Sequence, residues 1–378
     1  MKAMKKFSII LFTLIFLILN RVVPVFANEV SLPVEAEKIL NSAEEELKKV
    51  VPQVDLKREV LAIFRGEKKI SLTEIWGDLK GTLLAEIRGN IKILFKLFIL
   101  AIILSLLRQL ENSFSSGSIA QISQAACYLA FMLLALQSFT LALKIGRDAV
   151  EGMVGVALSL LPASLGLIAA AGAVTTSALL SPTLLGVIGI MGSVIKNFVF
   201  PLLYLSVLVE IATGLSGRFS LDKLIKFAQQ ISIGLVGLML SLLLGVGALE
   251  TVAGGVADNF ILKTARFATG TFVPVVGKVL TDAVEAVAGT VYLLKNALNA
   301  LGIMILFGVV TAPAVKILVL GGLYKFAGAV LEPLGEENYV KTLTGMGNAL
   351  LLIFGVLAIL SLFLFFLFAV LISAGKPV

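Results

Sequence analysis

Long apolar runs constrain this chain more than any other feature of its sequence. Leu179–Leu215 extends for 37 residues, and Ile91–Leu107, Ile119–Leu143, Val154–Ala173, Ile231–Leu249, Leu301–Ala329 and Ala349–Ser373 repeat the pattern. A helix crosses the hydrocarbon layer of a bilayer in about 20 residues. In lipid every backbone N–H and C=O must be satisfied internally, which a helix does within its own segment. The expected fold is therefore all-α: a polytopic helical membrane protein with about seven to nine membrane segments. As a single helix Leu179–Leu215 would measure roughly 55 Å, against a core of about 30 Å, so a break near Lys196, Asn197 and Pro201 is expected.

Composition agrees. Hydrophobic residues make up 58% of the chain and charged residues 15%, where soluble domains carry about 25% charged. The formal charge of +7 is read as membrane topology, since basic residues near helix ends favour one side of a bilayer. No basic cluster interleaves with stacking aromatics, so nucleic acid is not an expected partner. The chain has no histidine and one cysteine, Cys127. A histidine base, a Ser-His-Asp triad, a His/Cys zinc site and an intrachain disulfide are therefore excluded. The expectation is a non-enzyme with no catalytic residues, no cofactor and no metal.

The N-terminus reads as a secretory signal: a basic stretch over residues 1–6, an apolar run over Phe7–Leu19, and a small-residue pattern ending at Ala27, after which cleavage is expected. Residues 28–90 differ in kind, with 10 Lys/Arg and 12 Asp/Glu. Ile39, Ala43, Leu47 and Val50 recur at three- and four-residue spacing, which predicts an amphipathic helix. This extracytoplasmic region is expected either to lie on the membrane surface or to dock a partner. Residues 91–145 then read as a transmembrane hairpin.

Two later stretches, 146–257 and 258–378, read as a weak internal repeat. Pro162 matches Pro274 and Pro201 matches Pro313, each pair 112 residues apart. All four prolines are candidate helix breaks, and opposed broken helices line mid-membrane sites in many transporters. The least lipid-like stretch between spans, Gly254–Gly289, supplies the candidate conduit or interface residues: Lys263, Arg266, Thr271, Pro274, Lys278 and Asp282. Charges beside membrane helices need water, a partner charge or the interface. Two readings stand side by side, a broken helix lining an aqueous cavity and a surface helix with snorkelling basic residues. Lys196, Lys316 and Lys325 pose the same choice. Glu210 and Glu250 lie near the C-terminal ends of apolar runs, where the helix dipole disfavours an anion.

The run ILKTARFATGTFVPVVGKVLTDAVEAV, the following YLLKNALNALG and PAVKILVLGGLYKFAGAVLEPLG closely resemble the stage III sporulation protein AE family of endospore-forming bacteria. The resemblance implies a subunit of the multiprotein channel or feeding complex in the mother-cell membrane around the forespore, needed for late forespore gene expression. Its partners would be other stage III sporulation membrane proteins and a forespore membrane protein across the intermembrane space. A permease-like element is the first expectation; a non-transporting scaffold of the same complex, or a secondary transporter of unknown substrate, are the alternatives.

Overall fold

The computed structural model describes residues 33–65, 80–89, 118–216, 221–238, 276–334 and 337–373, with single helical positions between 77 and 102 and at 241. No strand occurs among them. The expected signal segment with Ala27, and the candidates Lys263, Arg266, Thr271 and Pro274, lie outside the described residues.

Among the described residues, seven helices carry most of the fold. Helix α1 (Val34–Val50) and helix α2 (Leu56–Phe64) are short and amphipathic. Helix α3 (Ser118–Ala170), helix α4 (Val174–Val194), helix α5 (Phe200–Ser216), helix α6 (Val276–Leu331) and helix α7 (Glu337–Ser373) form the bundle. A π-helical turn, Ile195–Val199, joins α4 to α5, and a shorter helix covers residues 222–238.

Local chemistry sets the ends. Glu35 and Glu37 open α1 and Lys48 and Lys49 close it, matching the helix dipole, and Pro52 lies just past its end. Asp55 caps α2 by accepting from the Arg58 N–H at 3.0 Å. Helix α3 closes on Gly172, whose φ of 100° places it in the left-handed region. The Ala173 N–H reaches back to the Ile168 carbonyl at 3.1 Å, as in a Schellman closure, and α4 starts at once.

Among the described residues, four helical stretches are long and apolar enough to cross a membrane: Tyr128–Ala170, Val174–Leu215, Val287–Leu331 and Glu337–Ser373. This is fewer than the seven to nine expected, because runs that look separate in sequence are fused. Ile119–Leu143 and Val154–Ala173 both lie in α3, joined through Lys144, Arg147, Asp148 and Glu151. A few charges do not end a helix when they find water or partners. Ile91–Leu107 and Ile231–Leu249 lie largely outside the described residues.

The expected breaks are likewise absorbed. Pro162 lies inside α3 and Pro313 inside α6; neither ends a helix. At Pro201 the rod from Val174 to Leu215 continues through the π turn. Proline has no N–H and its ring crowds the carbonyl four residues back. The turn before it widens, and the Phe200 N–H bonds to the Ile195 carbonyl, five residues back. The Lys196 carbonyl is instead taken by Arg147 Nη2 of α3 at 3.1 Å, and the Lys196 ammonium pairs with Glu151 at 2.7 Å. The described helices do not display the repeat: Pro201 follows a π turn, whereas its counterpart Pro313 sits deep inside one continuous helix.

Helix α1 neither lies free nor presents an apolar face outward. Ala36, Leu40, Ala43 and Leu47 are buried, Ile39 packs on Gly166 of α3 and Val50 on Gly155. Glycine is required at Gly155 for this close approach, since a Cβ there would meet Val50 Cγ2 at 3.0 Å. Gly146 marks the waist of the bundle. A Cβ there would meet Ile353, Ile317 and Phe200 at 3.0, 3.4 and 3.5 Å, so α3, α7, α6 and α5 converge at this level. The core runs the full length of the bundle, and α7 is buried on most sides from Val356 to Leu371.

Candidate functional site

Two polar clusters interrupt this apolar core, one at each end. The first surrounds a cavity of about 730 Å³ where the end of α5, the helix over 222–238, the end of α6 and the start of α7 meet. Its walls carry Glu210, Asp222, Lys226, Gln229, Glu332, Glu337, Lys341, Thr344 and Asn348. Most of these groups sit at helix ends beside water. Glu210 does not: its residue is 8% exposed. The carboxylate lies against Gly345, where any Cβ would overlap it. Among the described residues it accepts no hydrogen bond and forms no ion pair within 4 Å. The nearest organised charge is the Lys341–Asp222 pair at 2.7 Å, on the solvent side of the cavity.

A hydroxyl relay ties α3, α5 and α7 together close to this cavity. Tyr128 Oη donates to the Ile211 carbonyl at 3.1 Å and lies 2.9 Å from Thr342 Oγ1. The Tyr339 ring meets Tyr128 and Phe131 edge-on, both at 5.2 Å between centroids. These contacts hold the α7 turn that carries Lys341, Thr344 and Gly345 in fixed register with Glu210.

The second cluster lies at the opposite end. Lys295 of α6 is fully buried, its Nζ donating to the Ile372 carbonyl at 3.1 Å and lying 4.2 Å from the Tyr292 ring centroid. A cation at the last carbonyls of α7 matches the negative end of that helix dipole. Asn299 accepts from Ser164 Oγ at 2.8 Å and donates to the Lys295 carbonyl at 2.9 Å, linking α3 to α6. This cluster is fully packed and fastens three helices.

Of the conduit candidates, Lys278 and Asp282 fall in the opening turns of α6. Lys196 is paired with Glu151 on the surface of the waist, and Lys325 lies against Gly347. Neither Lys196 nor Lys325 lines the cavity. The cavity residues came from elsewhere: Glu210 carries a sequence signal, an anion at the wrong end of a helix, whereas Asp222, Thr344 and Asn348 read as ordinary helix-end residues. Lys295 and Asn299 are visible only as letters within YLLKNALNALG.

Apolar helices of membrane-spanning length, with a polar cluster at each end of the core between them, define an all-helical integral membrane protein. The chain belongs to the stage III sporulation protein AE family, whose profile matches residues 54–375. It is 31% identical over 320 residues to Stage III sporulation protein AE of Bacillus subtilis (strain 168), covering 85% of this chain and 80% of that protein. No solved structure matches.

Proposed function

We propose that this protein is a non-enzymatic, multi-pass subunit of a sporulation channel complex in the mother-cell membrane around the forespore, and that it acts as the permease-like element. Signal-directed insertion places residues 28–90 on the outer side, toward other stage III membrane proteins and a forespore partner. The observation that carries the permease reading is the cavity at Glu210. A scaffold needs packed helices and complementary surfaces; it has no use for a roomy cavity that carries several charged groups and ends on a largely buried glutamate. Small-molecule sites have this size and a few convergent polar groups.

The test is to fill the cavity without disturbing its surroundings. Thr344→Phe and Asn348→Phe together should reduce spore formation at least about tenfold, with protein abundance and co-purification of partner subunits unchanged. The scaffold reading has one observation of its own, the charged outer face of α1. It would take precedence if the filled cavity left sporulation intact while charge reversals on that face abolished it.

A further inference from the structure

The cavity's lining commits it to one kind of ligand charge. Four carboxylates, Glu210, Asp222, Glu332 and Glu337, face two ammonium groups, Lys226 and Lys341. Lys341 is already held by Asp222. Among the described lining residues two formal negative charges remain uncompensated, and the deepest, on Glu210, belongs to a residue more than nine-tenths buried that lines the cavity with no hydrogen bond or close ion pair among the described residues. A carboxylate in such a place either takes up a proton or keeps its charge beside a cation or strong donors, so a cation that enters the cavity gains a partner there.

We propose that the cavity binds a small organic cation whose ammonium or guanidinium group seats on the Glu210 carboxylate. This rests on reading the cavity as the functional site. Size and donor geometry separate an organic cation from a bare metal ion. About 730 Å³ is far more than one ion needs, and among the described residues no three acidic side chains converge as metal ligands would. Gln229, Thr344 and Asn348 provide neutral acceptors for the remaining N–H groups. A guanidinium suits a carboxylate best because its paired N–H groups match both oxygens.

Calorimetric titration of the purified full chain in detergent tests this with agmatine as a free solute and acetyl-Ala-Arg-Ala-amide as the side chain of a partner protein. At least one should bind saturably, and the tighter of the two identifies the source. N-butylurea, which is neutral, and magnesium chloride at matched ionic strength should not bind. Glu210→Gln should weaken binding at least about tenfold, the loss of one charge-assisted contact. Glu332→Gln with Glu337→Gln should also weaken it, and carries the test if Glu210→Gln lowers the melting temperature too far. Absence of saturable binding, equal binding by these variants, or an equal response to butylurea or magnesium would overturn the proposal. If binding fails while the filled cavity still blocks sporulation, only the cationic ligand is wrong. If binding holds while the filled cavity sporulates normally, the site is real and the permease reading fails.

Discussion

At the scale of single residues, the contact between Glu210 and Gly345 is the most sensitive point of the bundle. The carboxyl group occupies the space a Cβ would need, so Gly345→Ala forces the side chain outward or spreads α5 from α7. Overpacking of this kind costs about 1–3 kcal/mol. Glu210→Ala removes the obstruction, and the double variant should recover most of the loss, giving a coupling of about 1–3 kcal/mol between the two sites. Thermal melts of the four proteins in detergent measure that coupling; strictly additive effects would mean that the carboxylate does not rest on Gly345. This pair also marks the limit of what the sequence discloses about the site. An anion near a helix C-terminus stands out in a linear reading because the dipole opposes it. Its neighbour 135 positions away, at Gly345, does not, because small residues recur throughout these helices for packing alone. The charges of Gly254–Gly289 lie largely outside the described residues, and density of polarity along the chain carries no information about which groups share a cavity.

At the scale of elements, the amphipathic α1 and the helical character of the bundle were legible from spacing, since Ala43 and Leu47 fall on the face that α3 covers. Helix ends were less so. Lys144 to Glu151 reads as a turn between two spans because charges usually mark water, but here they sit on the flank of one helix, where Lys196 of the π turn engages both Arg147 and Glu151. Proline likewise signals a break, whereas at Pro201 the neighbouring helix repairs the defect. The Lys196 carbonyl would normally receive the Phe200 N–H; that N–H bonds to Ile195 instead, and Pro201 has none to offer. Arg147 fills the vacancy from α3. Arg147→Ala should therefore cost about 1 kcal/mol, with the carbonyl left to water. In a Pro201→Ala background, where an ordinary α-helical turn can close, the same substitution should cost markedly less. Denaturation midpoints of the two pairs decide this; an equal cost in both backgrounds would show that Arg147 contributes through something other than the orphaned carbonyl.

At the scale of the whole molecule, the length of the bundle dictates where a bilayer can lie. Val174–Leu215 spans 42 residues, roughly 63 Å of helix, about twice the hydrocarbon thickness. Only half of the bundle fits, and the waist at Gly146, with the Arg147, Glu151 and Lys196 cluster beside it, divides the halves. On the α1 side, Glu35, Lys38, Glu45 and Lys49 face outward from the helix that covers α3 at Gly155 and Gly166. Hydrocarbon against that face would strip several charges of water at once. On the other side, Leu133, Leu134 and Leu141 of α3, Leu205 of α5 and Phe326 of α6 are all exposed, an apolar belt that water disfavours and lipid does not; the α1 half also exposes Val174, Leu179 and Ile190 of α4, but it carries the charged face of α1 as well. From Tyr128 to Gly146 the helix rises roughly 27 Å, close to the thickness required. The helix over 222–238, which exposes Leu224, Phe227 and Ile233 alongside Lys223 and Lys226, then lies at the far interface with its basic groups toward water. The bilayer is thus expected between the waist and the Glu210 cavity, with the cavity opening at the membrane surface opposite α1. Reconstitution into vesicles with brominated acyl chains measures this directly. In a Trp76→Phe background, Leu133→Trp should be strongly quenched and Leu179→Trp, on α4 beyond the waist, only weakly. Strong quenching at Leu179 with little at Leu133 would seat the bilayer on the α1 half and bring the charged face of α1 into lipid, an arrangement that a partner subunit would then have to cover.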